Sequence, residues 1–134
     1  MRPVQRVSSI FGAVFAIIAI IGFFTSRGSM AADPAMAPRV FGLFPVNLLH
    51  NLVHLAWGIW GLVAARDWVQ SLRYLWATAV VYILLTILAF FTPSTFGLLP
   101  IGDNDIWLHA LLGIVAGAVA LAAGRQPAAG AALR

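Results

Sequence analysis

The stretch "FGLFPVNLLHNLVHLAWG", residues 41–58, decides how this chain is read. It is apolar enough to lie in lipid, yet it carries His50 and His54, two of the three histidines, together with Asn47 and Asn51. It also recurs. "FGLLPIGDNDIWLHALLG", residues 96–113, aligns with it without gaps at an offset of 55 residues. Phe41, Gly42, Leu43 and Pro45 match Phe96, Gly97, Leu98 and Pro100. His54 falls on His109, Gly58 on Gly113, and His50 on Asp105. Chance likeness between two apolar segments would not keep F-G-L-x-P, a histidine and a glycine in one register. Repeats of this kind signal a duplicated structural unit. Here the unit is a helix, an outer loop closing in F-G-L-x-P, and a returning helix.

Composition says where such units live. The chain has 134 residues, of which 62% are hydrophobic and 9% charged, with a mean hydropathy of +0.96. A soluble domain carries roughly 25% charged residues, so this inventory cannot cover a solvated surface. Without cysteine there are no disulfides and no thiolate ligands. The net charge of +4 comes from arginines scattered singly between apolar runs, which does not make a nucleic-acid surface. All cations are Arg and all acids Asp, an Ala- and Gly-rich bias of the GC-rich bacterial kind.

A membrane helix needs about 20 apolar residues to cross roughly 30 Å of hydrocarbon. Four segments meet that length: about 7–26, 46–65, 72–91 and 103–123. Asn47 and Asp103, just past the prolines, are natural helix N-caps. The first segment, followed by "SMAA", has some signal-peptide character, but signal cores run only about 7–15 residues, so it reads as a retained helix. The expectation is an all-α integral membrane four-helix bundle. Two repeated helical hairpins build it, related by a pseudo-twofold along the membrane normal. Residues 1–126 form one four-span domain, and 127–134 a flexible tail. The termini and the middle loop hold Arg2, Arg6, Arg66, Arg73, Arg125 and Arg134, against Arg27 and Arg39 on the other side. That bias predicts cytoplasmic termini in a bacterial inner membrane. Asp67 is expected to pair with Arg66 or Arg73.

The F-G-L-x-P, H-N-x-x-H and "FGLLP…D…LH…LG" elements resemble the small bacterial membrane family known as domain of unknown function 4383. The resemblance covers roughly Phe41 to Gly113. It implies a four-helix membrane fold and brings no activity and no functional residues.

The polar residues imply a site. Residues i and i+4 share a helix face, so His50, His54 and Gly58 form one stripe, and Asp105, His109 and Gly113 the matching one. Small residues below the polar ends, including the G-x-x-x-G of Gly113 and Gly117, allow close helix approach. If the stripes face each other, His50, His54, Asp105 and His109 converge near the outer interface. Three imidazoles and one carboxylate suit a transition metal, zinc first and iron or copper next. Asn51 and Asn104 are expected to orient the ligands from behind. Haem between His54 and His109 as axial ligands ranks lower. The competing reading is a non-catalytic structural subunit, as a homo-oligomer or within a larger membrane complex, with the cluster as hydrogen-bonded glue. Buried ionisable groups in a membrane favour function over glue. No nucleophile–base pair or phosphate loop is present, so catalysis is not assigned. Tyr82, Tyr74, Thr78 and Thr86 read as ordinary packing residues.

Overall fold

A computed structural model describes residues 1–125; the expected tail at 127–134 lies outside the described residues. The chain forms an all-α membrane bundle of four helices: α1 (Pro3–Ser26), α2 (Leu48–Ala64), α3 (Trp68–Phe91) and α4 (Asn104–Gly124). A two-residue ribbon, β1 (Arg39–Val40) against β2 (Phe44–Pro45), lies in the first loop.

Local chemistry explains where each helix begins and ends. Pro3 opens α1, where its missing N–H costs nothing. The Arg2 backbone N–H donates to Gln5 Oε1 at 3.0 Å. These two features carry α1 one turn further than its apolar run indicates. The helix closes at Arg27 and Gly28, both left-handed (φ 47° and 82°). Asn47 caps α2 as expected, its side chain accepting from the His50 backbone N–H at 2.8 Å. Asp67 caps α3 by accepting from Gln70 N–H at 2.9 Å. That cap moves the start of α3 to Trp68, and it replaces the expected pairing with Arg66 or Arg73. Asp103 precedes α4 but makes no side-chain cap. Its carboxylate is held by Arg39 instead, at 2.6 Å.

Among the described residues three helices, α1, α3 and α4, are long and apolar enough to cross a membrane, whereas α2 has 17 residues. At 1.5 Å per residue α2 is about 25 Å long. It is shorter than the expected 46–65 because the chain before Leu48 is taken up by the ribbon and the cap. It still runs the length of α1. Asn51 Nδ2 donates to Ser26 Oγ at one end, and Gln5 Nε2 donates to the Ala65 carbonyl at the other. Ile10, Ile17, Leu84, Ile114 and Leu121 point outward as an apolar belt, the surface that a bilayer covers.

The helices pack as α1 on α2 and α3 on α4, with α1 also touching α3. In the first pair, Gly58 lies so close to α1 that a Cβ there would meet Ala16 N at 2.7 Å. Ser8 Oγ donates to the Gly61 carbonyl at 2.9 Å across the same seam. In the second pair Gly113 faces Ile83, and Gly117 faces Ala79. This corrects the expectation for the small stripes. They draw each helix to its own hairpin neighbour and do not draw α2 to α4, which make no extended backbone contact. A core of Tyr74, Leu75, Ala79, Ala116 and Ala120 fills the end near the chain termini. At the other end α2 and α4 stand apart, and the space between them holds the polar cluster.

The two interhelical loops close that end together. Arg39 bridges to Asp103, Asn104 Nδ2 donates to the Leu43 carbonyl at 3.2 Å, and Asn47 Nδ2 donates to the Leu98 carbonyl at 2.8 Å. In both loops the F-G pair is left-handed, with φ of 53° and 70° at Phe41 and Gly42 and of 56° and 86° at Phe96 and Gly97. A non-glycine residue rarely adopts this conformation.

Candidate metal centre

His50 and His54 sit in the first two turns of α2, and Asp105 and His109 in the first two turns of α4. The N-cap at Asn47 fixes the rotation of α2 and thereby the direction of both of its imidazoles. Each histidine offers a ring nitrogen, and these three nitrogens all lie within 4.8 Å of one another. The rings of His50 and His54 are 4.4 Å apart, and those of His50 and His109 6.3 Å apart. The Asp105 carboxylate joins at the edge, its Oδ2 3.9 Å from His50 Nε2. That distance is too long for a hydrogen bond.

All four side chains are buried, at 3%, 9%, 3% and 2% exposure for His50, His54, Asp105 and His109. Even so, among the described residues the Nδ1 atoms of all three histidines and Oδ2 of Asp105 make no well-formed hydrogen bond, although the Pro45 backbone stands beside the His50 ring. Buried polar groups are normally paired, and an orphan costs about 1–3 kcal/mol. Ligands about 2.0–2.1 Å from a zinc ion stand roughly 3.3–3.5 Å from one another. Imidazole rotations that close each separation by up to about 1.5 Å would bring these nitrogens to that spacing. The arrangement can therefore take up a divalent cation, or share protons among its members.

Asn51 and Asn104 are not brought to the imidazoles, which corrects the expectation for both. One residue on from His50, Asn51 is turned about 100° round the helix and points at α1, to Ser26 and against Gly22. Asn104 faces the first loop through Leu43 and receives the Trp107 indole N–H at 3.2 Å.

Two aromatic residues join the site unforeseen. Phe15 of α1 lies 5.6 Å from the His54 ring, and Tyr82 of α3 lies 5.0 Å from the His109 ring, edge-on. Phe15 and Tyr82 stack on each other at 5.5 Å. Tyr82 left a trace in the sequence, since Tyr74, Thr78 and Tyr82 recur every four residues in an otherwise apolar helix. Phe15 left none, being one phenylalanine among nine. A cavity of about 210 Å³ borders the cluster between α1, α4 and the ribbon, and one of about 40 Å³ borders it on the side of α3.

The chain belongs to the family described as domain of unknown function (DUF4383), whose model matches residues 5–122. No curated protein and no solved structure matches the chain.

Proposed function

We propose that this member of the family is a small metal-binding protein of the bacterial inner membrane. Its site holds one transition metal ion between His50, His54, His109 and Asp105, zinc first and iron or copper next. The single observation that carries this reading is the state of the four side chains. The three imidazoles are gathered, Asp105 stands at their edge, and all four are buried, leaving Nδ1 of each histidine and Oδ2 of Asp105 without a hydrogen bond among the described residues. Glue between helices would have paired these atoms with each other. An ion uses the ring nitrogens and the carboxylate oxygen as ligands, and so accounts for a cluster that makes no internal hydrogen bonds. The donor set of nitrogen and oxygen suits zinc and its neighbours.

Haem fits less well. A macrocycle between His54 and His109 would lie where His50 and Asp105 already stand, and the adjoining cavity of about 210 Å³ is small for a tetrapyrrole. Supporting the view of the two hairpins as copies are the matching left-handed F-G pairs and the reciprocal contacts of Phe15 with His54 and Tyr82 with His109. The arginine distribution supports cytoplasmic termini, with the metal end outward.

Elemental analysis of the purified full chain tests the proposal. About one ion per chain, lost in His54→Ala and in His109→Ala, is the expected result. A metal-free chain that takes up none from zinc, iron or copper salts would remove it. Acidification should also release the ion, because an imidazole ligates only in its unprotonated form.

A further inference from the structure

We infer that the larger cavity beside the histidines binds a single-ring, uncharged aromatic molecule carrying an oxygen donor, of the phenol or quinone kind, that arrives from the bilayer. The inference rests on the metal reading, because the oxygen donor is placed at the ion.

The cavity has about 210 Å³. Val14 and Ile18 of α1 and Leu108 and Leu112 of α4 form its walls, with Phe44 of the ribbon above and the cluster of His50, His54 and Asp105 at its inner side. Apolar walls with a few convergent polar groups are the general pattern of a small-molecule site. An apolar cavity of about 150 Å³ admits benzene, and drug-sized ligands take about 300–1,000 Å³. The space therefore suits one substituted ring. Phe15, buried at 3%, offers an aromatic edge beside His54.

Both polarity and access follow from the surroundings. Among the described residues no arginine lines the cavity, and Asp105 does, so beyond the ion, whose charge that carboxylate already offsets, the walls offer an anionic ligand no cation. From the loop end, Arg39–Asp103 and Asn104–Leu43 close over the site. Laterally, Val14 at the cavity wall is 46% exposed on the lipid-facing side of α1. The way in is thus between α1 and α4, open to a molecule dissolved in the membrane.

The test uses the full chain in lipid nanodiscs loaded with cobalt, whose visible bands report a change of ligand. Benzamide and acetamide serve as probes, both uncharged, sharing the carbonyl oxygen donor and differing in the ring. Half-saturation by benzamide is expected at a concentration at least tenfold below that for acetamide. Leu112→Trp or Val14→Phe, which fill the cavity from opposite walls, should abolish that preference while cobalt stays at one per chain. Val14 is half exposed, so its variant keeps the test valid should Leu112→Trp fail to fold. A chain that holds neither cobalt nor zinc, iron or copper defeats the metal reading and this inference with it. A chain that holds cobalt but shows no ring preference, or keeps the preference in both variants, overturns this inference and leaves the metal reading standing.

Discussion

At His54 the imidazole stands against Phe15 and within 4.8 Å, nitrogen to nitrogen, of His50 and His109. Replacing it with alanine should lower zinc affinity by more than the roughly 10–100-fold that an outer partner of a ligand controls. Competition with a chromogenic chelator measures that, with circular dichroism showing an intact bundle. Asn51→Ala is the contrasting case. Its bond to Ser26 belongs to the α1–α2 seam, so the variant should keep its metal and lose only about 0.6 kcal/mol of stability, the average for a polar contact inside a membrane. The gathering of His50, His54 and His109, with Asp105 beside His50, was legible because i, i+4 spacing and the 55-residue register both point to these positions. The asparagines were misplaced because adjacency in sequence says nothing of direction on a helix. Phe15 was hidden because an aromatic in an apolar run looks the same whether it faces lipid or a site, and Tyr82 showed only as part of the four-residue spacing with Tyr74 and Thr78.

The helices follow from their apolar lengths and their caps, but which helix meets which does not. A stripe of small residues announces a close approach without naming the partner. Gly58 and Gly113 turned out to serve α1 and α3, and the gap this leaves between α2 and α4 is what the histidines occupy. A methyl group at Gly58 would stand 2.7 Å from Ala16 N and 2.9 Å from Gly12 O, both backbone atoms that cannot yield alone. Gly58→Ala should therefore cost about 1–3 kcal/mol, the usual penalty of overpacking. Gly117→Ala meets only Ala79 Cβ, at 3.4 Å, and should stay within about 0.5 kcal/mol of the parent. Reversible unfolding in mixed micelles compares the two. Equal losses would mean that the α1–α2 seam is looser than described.

For the molecule as a whole, the membrane class was evident from composition, and the loop cap was not. The Arg39–Asp103 bridge joins residues 64 apart in sequence, and no local signal marks it. With its side chains 30% and 50% exposed, the bridge should contribute about 0.2–1 kcal/mol in a double-mutant cycle of Arg39→Ala and Asp103→Ala. Orientation is decided by fusing reporters to each end. Cytoplasmic activity at both termini is expected from the arginine bias, and opposite sides would mean that α2 fails to cross with α1. The most direct measurement of all is X-ray absorption at the edge of the metal bound to the full chain. Three imidazole nitrogens and one oxygen at about 2.0–2.2 Å, with imidazole scattering reduced in His109→Ala, is the predicted result. A first shell without imidazole, or one that the His109 substitution leaves unchanged, would contradict it.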